Sequence, residues 1–583
     1  MRNRIPALLV GASCALFPVA ALAEISFLSG VSLPNGGEIV SYADGTLLTT
    51  DSLSATNHAI QSYSLTSGGA LTTGLSINLN SVFGAGSTAS ISSVLNDARG
   101  FGVATIIPTA TSATDYGRIT IFNKSDGSIL KTLDVGYHPD SVTITPDGTK
   151  LIIANEGEYG STVSTTPETV NRAGSVSVVN ISGVTSGNYV TSLAALDSSA
   201  VNTYDFSAGN LGAGVTIDGL RNARLDTTSV KSPNIADIEP EYITASNTTA
   251  YVTLQENNAI ATLDLASGKY TQINVLGTIT QTIDASDSEA SININDTVKG
   301  LPMPDTVTKF VREGSTFLVT ANEGDARPDD GDVMRVSQEG TSGRPAIDAT
   351  TQTTLNAQYG GNYEATTALG RLNILKDQGD TDLDGDIDTP TMLGTRSFTV
   401  WKVEADGSLS IAFDSASMIE QYAAGFDAAS FNINSGLTGE FDKRSDDKGP
   451  EPEALAFGSF DGKDFVFVGA ERQNGIFQFD ITDLNNVSIV GYYNTVTGAD
   501  DSGGAFIAPE SIQFLDAAGN PTGKNILIVG YEGTGGNGSL AVFEVTSGSA
   551  IPEPSTYAAI FGAGVLGLAC WRRRRPAARN RAS

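Results

Sequence analysis

Five segments of this 583-residue chain share one phrase: a proline, an acid, an apolar strand start, a turn, a hydrophobic strand and a closing glutamate. The clearest copy runs from His138-Pro139-Asp140-Ser141-Val142 through the turn Pro146-Asp147-Gly148 to Leu151-Ile152-Ile153-Ala154-Asn155-Glu156. The others pair Pro240-Glu241 with Glu256, Pro304-Asp305 with Glu323, Pro452-Glu453 with Glu471 and Pro509-Glu510 with Glu532. A third strand follows four of the glutamates, at 174–179, 259–263, 475–479 and 539–543. In the third copy it is deferred by an insertion to Ser397-Phe398-Thr399-Val400-Trp401. A unit of roughly 40–50 residues cannot bury its own apolar faces and must stack on its neighbours. Short β-branched runs between Gly, Asn, Asp and Ser turns point to an all-β chain, and strand-turn-strand repeats at this period predict propeller blades. Two weaker units, around residues 37–65 and 98–133, precede the five. The expected fold is therefore an all-β propeller of seven four-stranded blades, with six or eight as the neighbouring counts. It spans residues 24–548, with a long insertion at about 325–396.

The phrase also places acids. In a propeller the first strand of each blade lines the central channel, and the second, antiparallel strand returns to the same end. Asp140, Glu241, Asp305, Glu453 and Glu510 then form one ring of carboxylates at a channel mouth. Glu156, Glu256, Glu323, Glu471 and Glu532 form a second ring beside it. So many carboxylates repel one another unless cations lie among them, and an all-oxygen donor set suits calcium. The plainer alternative is that each acid caps a turn within its own blade. The chain as a whole carries −31 charges, which argues against nucleic acid and anionic membrane surfaces as partners.

The insertion holds a separate calcium candidate, Asp380-Thr381-Asp382-Leu383-Asp384-Gly385-Asp386-Ile387-Asp388. Its acids stand at loop positions 1, 3, 5, 7 and 9, with glycine at 6. Thr391 falls where a bidentate Glu would stand, and no convincing helix pair flanks the loop. It reads as a solitary Asp-rich calcium loop stiffening the insertion, against the alternative of a solvated acidic turn.

Both ends carry targeting signals. Arg2 and Arg4, an apolar stretch and Ala21-Leu22-Ala23 form a secretory signal over residues 1–23, cleaved after Ala23. At the other end, residues 551–583, Pro552-Glu553-Pro554 precedes a 15-residue run from Tyr557 to Trp571, then Arg572, Arg573, Arg574 and Arg575. The run is shorter than the usual ~20 residues of a stable span, and the arginines set its orientation. It is expected to form a short transmembrane helix that holds the chain until it is processed. The only cysteines, Cys14 and Cys570, lie in these end segments, so neither disulfides nor thiol chemistry are expected in the trimmed chain.

The tail resembles the PEP-CTERM sorting signal. That resemblance implies an exosortase-type processing enzyme as partner, a Gram-negative host, and delivery to the cell envelope, cell surface or an extracellular polysaccharide matrix. Residues 135–140 through Asn155-Glu156-Gly157-Glu158 resemble YVTN-type propeller repeats. Together with Glu239-Pro240-Glu241-Tyr242, Leu254-Gln255-Glu256-Asn257-Asn258, Ala321-Asn322-Glu323-Gly324-Asp325-Ala326-Arg327 and Gly449-Pro450-Glu451-Pro452-Glu453, they resemble the choice-of-anchor I family of surface propellers. Similarity in fold and motif extends to calcium-dependent phytases and alkaline phosphatases.

Few catalytic chemistries remain open. His58 and His138 are the only histidines, which excludes multi-His zinc sites. No G-x-S-x-G elbow surrounds a serine, and His138 reads first as a residue ordering the loop ahead of its strand. Metal-assisted phosphoester hydrolysis survives, with calcium at the acidic mouth and Arg327, Arg472 or Arg99 as phosphate contacts. Each arginine can equally pair with the acids around it. Three functions therefore stand: a calcium-binding surface interaction protein, a calcium-dependent phosphoester hydrolase, and a purely structural matrix component. The first is favoured because no base or nucleophile is identifiable.

Overall fold

The computed structural model describes residues 25–548, apart from 34–35, 55–56, 83–88, 109–115, 158–171, 222–234, 290, 327–331, 435–439, 497–505 and 535–536. The secretory signal and the sorting tail with its apolar run lie outside the described residues. Among the described residues no helix is long and apolar enough to cross a membrane.

The second strand of each repeat explains the architecture. In Lys150–Asn155 every residue after the lysine is buried. Leu151 and Ile153 pack with Phe101 and Ile121 of the preceding sheet. Ile152 and Ala154 pack with Ile243 and Val252 of the following one. Alternate side chains of a strand point to opposite faces, so a strand covered on both faces must be apolar throughout. That is why these strands read as unbroken hydrophobic runs. The same division recurs in Lys463–Ala470, where Val466 and Val468 join Val319 and Phe398, while Phe465 and Phe467 join Leu527 and Phe543.

Seven four-stranded antiparallel sheets result, over residues 40–78, 89–134, 139–205, 240–275, 307–414, 452–494 and 509–545. The first six follow chain order. The seventh takes its fourth, outer strand from the start of the described chain: Ile25–Ser32 pairs with Asn537–Val545, Ile25 opposite Val545 and Ser32 opposite Ser539. Nothing in the repeated phrase anticipates this strand. The first strands neighbour one another in chain order, and Pro509–Leu515 returns to Val40–Ala43.

In the fifth sheet Ser315–Asn322 pairs directly with Ser397–Val403, so the intervening residues leave the sheet and return. They hold the ribbon Val333–Arg335 with Asn373–Leu375. They also hold Thr391–Leu393, which lies parallel to Asp296–Leu301 beside Ile279–Ile283. Met334, Ile347, Ile374, Ile387 and Met392 close a core of their own with Ile283 and Val298. Three α-helices are present among the described residues: α1 Tyr189–Ala194, α2 Ala349–Gln358 and α3 Met418–Phe426. On α3 Glu420 is buried and meets the buried Arg396 at 2.8 Å, tying the end of the insertion to this helix.

Candidate functional site

In four of the five copies the acid of the repeated phrase sits on a β-bulge. Pro139 pairs with Asn155 but Ser141 with Ala154, which leaves Asp140 as the extra residue. The same slip leaves Glu510 between Pro509 and Ser511. It falls across Glu241 and Tyr242, and across Glu453 and Ala454. A bulge re-aims the side chain it carries, and here Asp140, Glu241, Glu453 and Glu510 all line one cavity of about 420 Å³. The residue ahead of the proline is held out of line as well. His138, Met303, Glu451 and Ala508 all have positive φ, of 47°, 43°, 53° and 60°. The backbone carbonyls of His138, Glu451 and Ala508 each accept the N–H of the closing glutamate, from Glu156 (2.8 Å), Glu471 (2.7 Å) and Glu532 (2.9 Å). Backbone in this region is strained for non-glycine residues, and the recurrent hydrogen bond holds it there.

Of the ten acids expected in two rings, Asp140, Glu241, Asp305, Glu453, Glu510, Glu323, Glu471 and Glu532 line the cavity. Glu156 does not line it, but its carboxylate lies with those of Asp140 and Glu241 in a trio whose oxygens are all within 4.8 Å of one another. Glu256 is buried and does not line the cavity. The rings also gain members. Glu38, just before Val40–Ala43, and Asp325 are both in the wall. Glu38 keeps the acid-before-apolar part of the phrase without its proline, a signal too short to stand out. In the second sheet Ser92, on the bulge between Ile91 and Val94, takes the acid's place.

Among the described residues ten carboxylates thus face the cavity against two cations, Lys448 and Arg472. Lys448 reaches Glu323 at 2.5 Å, Glu451 at 3.1 Å and Asp325 at 3.5 Å. Arg472 meets Glu471 at 2.9 Å and Glu451 at 3.6 Å, and Arg444 also pairs with Glu451. Burial would raise the Glu451 carboxyl, but Lys448, Arg444 and Arg472 hold it down at about 2. Several acids of the wall behave oppositely. Burial, then Glu156 and Glu38, push Asp140 up to about 7 against the pull of His138. Burial and then Glu451 push Glu471 up to about 8, with Arg472 opposing. Glu241, Asp305, Glu453 and Glu510 lie well above the ordinary carboxylate range, first through burial and then through neighbouring acids.

The donor chemistry fits a hard cation. Asp140, Glu156 and Glu241 form one close trio of carboxylates and Asp305, Glu323 and Glu453 another. The Oε2 atom of Glu453 is buried without a hydrogen-bond partner. Lys448 and Arg472 serve the Glu323, Glu451 and Glu471 side, whereas the Asp140 trio has the imidazole of His138, 2.7 Å from Glu156.

Among the phosphate-contact candidates, Arg472 is in the cavity wall. Arg99 is not: it pairs with Asp97 at 2.9 Å and donates to the carbonyls of Gly148 and Val184. Arg327 lies outside the described residues. The repeat could not reveal Lys448, which stands in a connection with no counterpart in the other units.

In the loop Asp380–Asp388 the acids are drawn inward by the backbone. Asp380 accepts the N–H groups of Asp384 (3.2 Å) and Gly385 (3.1 Å), and Asp388 accepts that of Thr381 (2.7 Å). Gly385 has φ +102°, open to glycine and costly to other residues. Asp380, Asp382 and Asp388 form one trio of oxygens, and Asp348, the N-cap of α2, forms another with Asp386 and Asp388. The Oδ1 atom of Asp386 is buried and unpartnered. Asp348 was not evident from sequence because 31 residues separate it from the loop's first turn; the bridge between Ile347 and Ile387 brings it there.

Comparison with known proteins follows the same division of the chain. Residues 550–575 match the PEP-CTERM protein-sorting motif, which implies processing by an exosortase. The chain is 30% identical over 204 residues to Gigasin-3a of Magallana gigas, covering 32% of this chain and 68% of that protein. It is 28% identical over 233 residues to the mesenchyme-specific cell surface glycoprotein of Strongylocentrotus purpuratus, 36% of this chain but 29% of that much longer protein. Among solved structures it is distantly similar to hydrazine synthase of Kuenenia stuttgartiensis, with 10% identity, a TM-score of 0.42 and coverage of 89% of this chain and 97% of that one. Streptogramin B lyase is similarly distant, at 9% identity, a TM-score of 0.39 and coverage of 90% and 98%. Residues 38–484, most of the chain, match the choice-of-anchor I domain. Domain and sorting motif together indicate an exported, cell-surface-sorted bacterial protein, and the chain belongs to the choice-of-anchor I domain family.

Proposed function

We propose that the protein is a calcium-binding surface interaction protein, whose seven sheets close as the blades of one β-propeller and whose acidic cavity is the mouth of its channel. The circuit of neighbouring first strands and the pairing of Ile25–Ser32 with Asn537–Val545 support the closure. One observation carries the calcium reading: among the described residues ten carboxylates face a cavity with two cations in its wall, and one of the carboxylates, Glu453, keeps a buried oxygen without a partner. Calcium at the Asp140 trio would offset charge that Lys448 and Arg472 do not reach, and calcium at the Asp305 trio would share Glu323 with Lys448. A partner would then be held through its own oxygens, as hydroxyl or carboxylate groups of an extracellular polysaccharide in a Gram-negative envelope or matrix. The loop Asp380–Asp388 would bind a further calcium ion and brace the insertion.

Lys448 and Arg472 in the same wall favour a second reading. Cations beside a calcium cluster suit an anionic phosphoester, so a calcium-dependent phosphoester hydrolase is the alternative. Hydrolysis of simple phosphomonoesters and phosphodiesters by the full chain, with calcium and with chelator, separates the two. Turnover lost in Glu453→Gln and Glu471→Gln would make the protein a hydrolase. No turnover, with a calcium-dependent rise in Tm that these variants reduce, is expected for the binding protein. A Tm rise untouched by either variant would remove calcium from the cavity.

A further inference from the structure

Arg396 spans the seam between the insertion's sheet and the segment leading into the sixth sheet, donating to the Asp284 carbonyl on one side and to the Ser445 and Asp447 carbonyls on the other, and buried acids lie on both sides of it. Asp284 follows Ile279–Ile283 and is fully buried, and Asp442 is 2% exposed. Asp284 accepts the Asn293 N–H at 2.6 Å and the Ser286 N–H at 3.4 Å, which leaves each oxygen a lone pair. Asp442 is less well served. Its Oδ1 takes the Ser445 hydroxyl at 2.5 Å, while its Oδ2 is buried with no partner. Its backbone stands at φ +67°. The Oδ1 of Asn432 and the Oε2 of Glu289 are buried and unpartnered as well, although Asn432 uses its Nδ2 on Ser445 and Glu420, at 2.8 Å each.

The cations nearby are committed elsewhere. Arg396 donates to the backbone carbonyl of Asp284 and to the Glu420 carboxylate. Arg371 pairs with Asp287 and Asp446. Asp442 therefore faces unneutralised charge: after burial, Asp284 and Glu289 and then Asp287 push it up to about 7. Each buried oxygen left without a donor is unfavourable, and a single hard cation would satisfy several at once. No nitrogen or sulfur ligand is in the group, which selects an oxygen-seeking ion such as calcium.

We propose that Asp284, Glu289 and Asp442, with the side-chain carbonyl of Asn432, bind a divalent cation at this seam, independently of the acidic cavity and of the loop Asp380–Asp388. The ion would pin the Ile279–Ile283 hairpin to the segment preceding Pro452–Phe460, and so hold the insertion against the sheets.

The test is a count of calcium ions bound per full chain by equilibrium dialysis. Asp442→Asn and Glu289→Gln are each expected to bind one ion fewer than the wild type. A chain carrying Glu453→Gln and Asp382→Asn together is expected to retain an ion that Asp442→Asn then removes. Glu289 is partly exposed, so Glu289→Gln provides the reading should Asp442→Asn fail to fold. Wild-type stoichiometry in folded Asp442→Asn or Glu289→Gln chains overturns the proposal. So does a Glu453→Gln and Asp382→Asn chain that binds no calcium.

Discussion

The ammonium of Lys448 lies 2.5 Å from the Glu323 carboxylate, with both side chains nearly buried at 12% and 11% exposure in the wall of the acidic cavity. Lys448 also reaches Glu451 and Asp325, so it acts as a cation built into the wall. Removing one partner of a buried pair strands the other, at a cost of about 3–5 kcal/mol. Lys448→Met is therefore expected to destabilise the chelated protein by that amount in denaturant titration. Adding Glu323→Gln should recover part of the loss, because the two side chains are directly coupled. A double-variant loss equal to the sum of the two single-variant losses would mean that the pair contributes nothing.

The raised carboxyls predict an unusual pH profile. A carboxyl whose folded pKa exceeds its unfolded value keeps its proton longer in the native state. Native protein then binds more protons between the two values, and stability falls as pH rises through that window. For Asp140 the window runs from 3.8 to about 7, and for Glu471 from 4.5 to about 8. Glu451, held at about 2, acts oppositely, and its contribution is lost as pH falls below 4.5 towards 2. In chelator, Tm should thus decline from about pH 5 to pH 8. A profile rising over that range would contradict the crowding of acids at the cavity.

Calcium should reverse this trend, since it competes with the same protons. At free calcium one hundred times its Kd the expected gain is about 2.7 kcal/mol per site. Glu453→Gln should move the two conditions in opposite directions. The variant loses repulsion from Glu510 and Glu471 and so gains stability in chelator, while its increment on adding calcium shrinks. Paired melts with and without calcium check both signs.

Gly385 tests the Asp-rich loop. At φ +102° with open space around it, Gly385→Ala meets no steric contact and fails only through its backbone, at about 1 kcal/mol. Calcium stabilisation assigned to this loop should weaken, while the response to Glu453→Gln stays intact. If the substitution leaves both the melt and the calcium response unchanged, the loop does not depend on this turn.

The repeat makes most of the architecture legible in the order of residues alone. A strand covered on both faces must be apolar throughout, so runs such as Leu151–Ala154 announce their position, and the proline, acid and glutamate around them mark where each strand begins and ends. The Asp-rich loop is legible for a similar reason, since its donors are adjacent in the chain. What lies beyond the sequence depends on contacts between distant residues. Glu38 joins the acids although its unit has lost the proline, and Ile25–Ser32 completes the last sheet from the opposite end of the described chain. Lys448 and Glu451 converge on Glu323 from a connection outside the repeat. Asp348 reaches Asp386 and Asp388 through a single bridge, and Asp284 is tied to the segment of Asn432 and Asp442 through Arg396, which bonds the carbonyls of Asp284 and Ser445. Periodicity reports which face of a strand a residue occupies; which side chains share one buried space, and whose charge goes unanswered there, is decided only when the sheets pack.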